Sequence, residues 1–204
     1  MKQKIFIFLI SKPLYYFYLL KNLIFKTKKD RLHIGCGNNI IHDWINADIT
    51  PSSEIIVFLQ KKLPFRKNSL TRVYTEHVLE HVSYETGLYF LKEVNRVLEK
   101  GGVIRIAMPD LDDLVDAYVN NWKRLEWVNW AECSFVKTRG QMMNISFYWW
   151  GHKYIYNRED VSRLLHESGF HDFHFAKWGE SKYNDLSNLE TRKDSKLIVE
   201  AIKK

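Results

Sequence analysis

The densest run of chemically able side chains is Glu76-His77-Val78-Leu79-Glu80-His81, which places two imidazoles and two carboxylates within six positions. Its His-x-x-Glu-His spacing is also that of an inverted zinc-peptidase motif, which needs an active-site helix and a further ligand downstream. Here the run directly follows the β-rich stretch Thr71 to Tyr74 and precedes a long amphipathic helix, so it reads as a loop at the carboxyl end of a strand. Histidines in such a loop suit proton transfer near neutral pH, and no metal is expected. Plain packing of the two rings is the other reading. Two further candidates for a base lie downstream: Asp110, after Met108-Pro109, and His152, after Gly151. Asp110 reads equally as the N-cap of the helix that follows it.

A second constellation stands near the start of the body. Gly35-Cys36-Gly37-Asn38-Asn39 follows the short strand Arg31 to Ile34, and glycine there permits positive φ and close approach of the backbone to a ligand. Asp48 ends the next strand, where a carboxylate accepts hydrogen bonds from both hydroxyls of a ribose. The third glycine of a dinucleotide fingerprint is missing, since Asn38-Asn39-Ile40 stands in its place. The turn therefore suits a nucleoside without a pyrophosphate and disfavours a nicotinamide enzyme. A tight turn with no ligand is the plainer alternative. Glycine turn and acid are closer than the usual ~20 residues, so the first crossover helix must be very short.

The elements that must position these residues alternate in type. Strand-length runs lie at Arg31 to Ile34, Ile45 to Asp48, Glu54 to Leu59, Thr71 to Tyr74, Val103 to Ala107, Phe170 to Lys177 and Ser195 to Ile202. Leu88, Leu91, Val94, Val97 and Leu98 recur at helical spacing over about 84 to 99, with Gly101-Gly102 as the stop signal. Helices are also expected from Leu111 to Asn120 and from Asn157 to Gly169. The fold predicted is an α/β, Rossmann-like doubly wound, mostly parallel seven-stranded sheet. The last two strands, joined only by a polar loop at 179–194, supply an antiparallel edge strand. An aromatic-rich insertion at about 121–150, with Trp122, Trp127, Trp130, Trp149 and Trp150, interrupts the alternation. Its rings either cover helices or form a lid suited to sugar rings.

With 204 residues, 46% of them hydrophobic, the chain has the length and core of one ordinary domain, 30–204, behind a distinct segment, 1–29. The formal charge of +7 sits in that segment. Lys2, Lys4, Lys12, Lys21, Lys26, Lys28 and Lys29 have no acidic neighbour there, and the remainder holds 24 basic and 24 acidic residues. A neutral body argues against nucleic acid as a partner. The segment is apolar and aromatic between its lysines, but Lys12-Pro13 interrupts it and no small-residue cleavage site follows. A peripheral anchor on the inner membrane face, a helix packed on the domain, and a signal-anchor span are the three readings. Two cysteines, Cys36 and Cys133, make no disulfide framework, and a cytoplasmic setting is expected.

Taken together, Leu32-His33-Ile34-Gly35-Cys36-Gly37, Trp44 to Asp48, Leu63-Pro64-Phe65, Glu76 to His81, Leu98 to Gly102, Met108-Pro109-Asp110 and Gly151 to Tyr156 resemble the class I S-adenosylmethionine-dependent methyltransferases, in a small branch associated with surface-glycan biosynthesis. The resemblance implies S-adenosylmethionine as cofactor. Its methionine part would lie on Gly35, Cys36 and Gly37, its ribose on Asp48 and its adenine near Leu59 and Gln60. Glu76, His77 and His81 would stand at the mouth where cofactor and acceptor meet. His77, His81, Asp110 and His152 become the candidate catalytic residues, with His77 first, and a glycan or small-molecule hydroxyl the expected acceptor. His152, Tyr154, Tyr156 and the loops at 179–181 and 190–192 would border it. Phe58-Leu59-Gln60 departs from the family, which usually carries an acid there. A catalytically silent methyltransferase-like subunit is the alternative which that departure motivates.

Overall fold

A computed structural model describes residues 11–20 and 29–204. The apolar runs at 5–10 and 23–25 lie outside the described residues.

Seven strands form one sheet: β1 (Arg31–Ile34), β2 (Ile45–Asp48), β3 (Ile55–Ile56), β4 (Leu70–Glu76), β5 (Leu98–Met108), β6 (Asp172–Phe175) and β7 (Leu197–Ile202). Their order is β3-β2-β1-β4-β5-β7-β6. The strands from β3 to β5 pair in parallel, and β7 runs antiparallel to both β5 and β6, with β6 at the edge of the sheet. This is the Rossmann-like sheet that the alternation of elements predicted. The order reverses between β1 and β4, so the carboxyl ends of these two strands flank the crevice where open α/β sheets take their ligands.

Helices are α1 (residues 11–20), α2 (Tyr84–Val97), α3 (Leu111–Val119), α4 (Arg139–Tyr148) and α5 (Arg158–Glu167). Local chemistry sets their starts. The side chains of Ser83, Asp110, Thr138 and Asn157 each accept a hydrogen bond from a first-turn backbone N–H of the helix they precede. On α2, Phe90, Leu91, Val94 and Val97 share the buried face and pack with Leu32, Val73, Ile104 and, from α5, Leu164 and Leu165.

Strand alternation puts Tyr74, Val103, Arg105, Ala107 and Ile198 on the opposite face, where Trp44 and the loop residues Tyr183, Leu186 and Leu189 cover the apolar ones. That face also buries charge. Arg105 is fully buried, with Nε donating to Glu190 and Nη1 donating to Glu200, its cross-strand partner on β7.

Three local expectations are corrected. No helix occupies the β1–β2 crossover, which is a series of turns with Asp43 at φ 62°. The strand expected over Glu54 to Leu59 shrinks to Ile55–Ile56, because from Val57 the chain leaves the sheet to wall a cavity. Gly101-Gly102 do not stop α2. The helix ends at Leu98, whose extended backbone begins β5, so both glycines lie within the strand.

Helix α1 packs on the domain. Tyr15 is 3% exposed, meets Phe58 edge-on at 5.6 Å and donates to the Lys62 carbonyl, while Ser11 Oγ donates to that of Ile49. Its other face leaves Tyr16, Phe17 and Leu20 more than half exposed.

Candidate active site

At the carboxyl end of β1 the chain turns through Gly35 at φ 76° and Gly37 at φ 49°. Gly35 N–H and Cys36 N–H both donate to the Ala47 carbonyl, which pins this turn to β2. A side chain at Gly35 is excluded twice over, since a Cβ there would lie 2.1 Å from Val78 Cγ2. Asp48 Oδ2 accepts from Gly37 N–H at 2.9 Å and Oδ1 from Thr50 N–H at 3.1 Å, so the carboxylate is held in place with lone pairs to spare.

Beside it opens a cavity of about 330 Å³, lined by Gly35, Asp48, Ile49, Val57, Phe58 and Gln60 on one side and by His77, Val78 and His81 on the other. One carboxylate, an apolar wall and a single amide fit a ribose, a flat base and its exocyclic amine. Cys36 is buried behind the turn, and burial with the nearby Asp48 pushes its thiol up to about 11, which removes it as a nucleophile. Neither Cys36 nor Gly37 lines this cavity.

A second cavity, of about 210 Å³, adjoins the first. His77, His81, Asp110, His152, Arg192 and Asp194 line it, with Trp127, Trp130 and Trp150 among its apolar walls. All four candidate catalytic residues therefore meet at one place, and two of them, His77 and His81, line both cavities.

His77 has φ 51°, a left-handed conformation uncommon for a non-glycine residue. Its N–H donates to the Ala107 carbonyl on β5, its Nδ1 lies 3.0 Å from Glu80 Oε1 and its Nε2 lies 3.6 Å from Asp194 Oδ1. The backbone strain thus coincides with a ring held between two carboxylates at the junction of the cavities.

Burial pushes His81 toward its neutral form; Glu80 opposes this and the neighbouring His152 and His77 add to it. His152 Nδ1 lies 2.6 Å from the Ser146 carbonyl, and its ring meets that of His81 at 4.8 Å. Asp110 caps α3 through Asp112 N–H as expected, yet it faces the cavity too. Burial raises its pKa, and Asp112 and Asp113 add to the rise.

Glu76 stands apart from both cavities. Its carboxylate accepts from Thr191 N–H and Oγ1, from Arg192 N–H and from Ser195 Oγ, at 2.7 to 3.1 Å. Burial disfavours its charge, but these bonds outweigh that cost and hold its carboxyl below the ordinary range. It positions the loop that brings Arg192 and Asp194 to the cavity. Sequence reasoning missed Asp194 altogether, since no local pattern ties it to His77.

The aromatic insertion roofs the second cavity. Three short turns, Trp122–Arg124, Glu126–Asn129 and Ala131–Cys133, and α4 share a small core in which Trp127, Cys133, Met142 and Ile145 are buried. Trp127 meets Trp150 edge-on at 5.0 Å.

Residues 32–106 match the family model of the methyltransferase domain. Among solved structures, the chain resembles an S-adenosylmethionine-dependent methyltransferase of Thermotoga maritima, described as a possible histamine N-methyltransferase, at 13% identity. That likeness covers 100% of this chain and 96% of the other, with a TM-score of 0.52. A Haloferax volcanii protein solved with the methyltransferase activator Trm112 is similar at 12% identity over 94% and 92% of the two chains, TM-score 0.51. YcgJ of Bacillus subtilis follows at 12% over 93% and 99%, TM-score 0.50. No curated protein matches the chain. The structural likenesses speak to the fold, and the matched domain to the chemistry. Residues 32–106 thus carry the match to a methyltransferase domain, whose chemistry is methyl transfer from S-adenosylmethionine.

Proposed function

We propose that the chain methylates a hydroxyl of a glycan or lipid-linked sugar, bound in the tryptophan-walled cavity. The observation that carries this reading is the sharing of His77 and His81 by the two cavities, which puts a proton acceptor where methyl donor and acceptor would meet. Gly35, Asp48, Phe58 and Gln60 would hold S-adenosylmethionine, which supplies an electrophilic methyl carbon and a thioether leaving group. The protein's task is alignment, exclusion of water and removal of one proton. His77, held between Glu80 and Asp194, takes the hydroxyl proton, and the two carboxylates stabilise the imidazolium that results. Indole faces with polar tips suit a sugar ring, and the carboxylates of Asp110 and Asp113 on the same wall suit its remaining hydroxyls.

Two features support a lipid-linked acceptor. The basic residues concentrate in 1–29, and α1 presents Tyr16, Phe17 and Leu20 outward while its inner face braces Phe58 beside the cofactor cavity. Among the described residues no helix is long and apolar enough to cross a membrane. Contact would be interfacial.

The test is turnover with S-adenosylmethionine and a panel of hydroxylated glycans and lipid-linked sugars, read by mass and by the atom methylated. In His77→Asn, which tolerates the same backbone conformation, turnover should fall about 100-fold with S-adenosylhomocysteine binding retained. Methylation of nitrogen or carbon, or undiminished turnover in His77→Asn, would sink the proposal.

A further inference from the structure

The wall beside His77 contains a buried carboxylate with no hydrogen-bond partner. Glu80 is 0% exposed, and neither of its oxygens accepts a hydrogen bond. The 3.0 Å approach of His77 Nδ1 to Oε1 is a close contact without hydrogen-bond geometry. A buried carboxylate left in that state is costly unless a cation offsets it. His81 and His152 stand next to it: one oxygen of Glu80 and one ring nitrogen from each histidine lie within 4.8 Å of one another.

One of the two imidazoles is already oriented by the backbone. His152 Nδ1–H donates to the Ser146 carbonyl, which leaves the Nε2 lone pair free, and the His81 ring meets that of His152 edge-on at 4.8 Å. A ring nitrogen tied to a backbone group is the arrangement that fixes the tautomer and aim of a metal-ligating histidine. The segment carrying His152 is also fastened to the turn carrying Glu80 and His81, because Lys153 N–H and Tyr154 N–H both donate to the Glu80 carbonyl, at 2.7 and 3.2 Å.

We infer that Glu80, His81 and His152 bind a divalent transition-metal cation. Two imidazoles and one carboxylate select zinc, manganese, iron or cobalt over magnesium and calcium. Three protein ligands leave a coordination position open toward the acceptor cavity. Ligands around an ion with bonds of about 2.0–2.2 Å are roughly 3–4 Å apart, so small side-chain rotations close the site. The binding of the ion stands on these residues alone. Its role, holding the acceptor hydroxyl and acidifying it so that His77 can take the proton, rests on the O-methylation reading.

The full chain, stripped of metal, is titrated with Zn²⁺ by calorimetry and with Co²⁺ by visible absorption. One ion per chain is expected, with a Co²⁺ spectrum that reports mixed nitrogen and oxygen coordination. Glu80→Gln and His152→Asn should each weaken binding about 10- to 100-fold and abolish that spectrum, with far-UV circular dichroism unchanged. His152 is half-buried in a loop, so its variant decides the matter even where Glu80→Gln fails to fold. Absence of saturable one-per-chain binding, or binding indifferent to His152→Asn, overturns the site. S-adenosylhomocysteine titrated in parallel keeps the two readings apart: bound cofactor product without metal binding sinks the metal site alone. Metal binding without transfer to any hydroxyl sinks the acceptor reading alone.

Discussion

Single residues at the ends of β1 and β2 govern the cavity proposed for the cofactor. Asp48 holds the turn through Gly37 N–H and keeps lone pairs toward the cavity. Asp48→Ala should lower S-adenosylhomocysteine affinity at least ~10-fold, because a hydrogen bond to a charged group contributes about 1.5–3 kcal/mol; calorimetric titration with circular dichroism as the folding control checks this. Gly35 carries a different burden. Gly35→Ala combines φ 76° with a Cβ against Val78, and should destabilise the fold by about 2–4 kcal/mol in urea unfolding. Adding Val78→Ala should recover the clash and leave the conformational part, which separates the two causes. The glycines and Asp48 were legible in the sequence because their spacing is local to one strand-turn-strand unit. The role of Glu76 was not, since its partners Thr191, Arg192 and Ser195 come from the far end of the chain.

Two elements connect the cavities to the rest of the molecule. The loop at 190–195 is latched by two buried carboxylates, Glu76 against its backbone and Glu190 against Arg105. For Glu76 the folded pKa lies below the unfolded one, so its stabilising contribution is present above the unfolded pKa and is lost as pH falls through the folded value. Trypsin cleavage after Arg192 or Lys193 should therefore be slow at neutral pH and fast in Glu76→Ala. Hydrogen exchange of Thr191 and Arg192 amides, corrected for its intrinsic pH dependence, should lose protection on acidification. The second element is α1. Tyr15→Ala removes the contact with Phe58 and the bond to the Lys62 carbonyl, and should cost about 3 kcal/mol in chemical denaturation. Because Phe58 lines the cavity proposed for the cofactor, the same variant should weaken S-adenosylhomocysteine binding. Of the readings the N-terminal charge left open, packing on the domain holds for residues 11–20.

At the scale of the whole molecule, the proposed lipid-linked acceptor requires the charge of residues 1–29 and the outward face of α1 to act together at a membrane surface. The full chain should cosediment with anionic phosphatidylglycerol vesicles, release them at high salt and ignore neutral vesicles, since each basic residue near an anionic surface contributes about 1 kcal/mol. Equal binding to neutral and anionic vesicles, or none to either, would count against a lipid-linked acceptor. The number of strands, the α/β class and the glycine turn could be read from sequence because each rests on short-range periodicity and turn chemistry, in which a residue's neighbours along the chain are its neighbours in space. The glycine pair inside β5 was misread because α2 ends before it, at Leu98, which pairs with Leu70 and begins the strand. What only the tertiary structure decided is which distant groups share a site. It sets His77 between Glu80 and Asp194, brings His152 to His81 and Glu80, and buries Arg105 between Glu190 and Glu200. Apart from His77 and Glu80, which stand three residues apart, such pairings depend on how the sheet, the aromatic insertion and the closing loop pack, and no spacing along the chain encodes them.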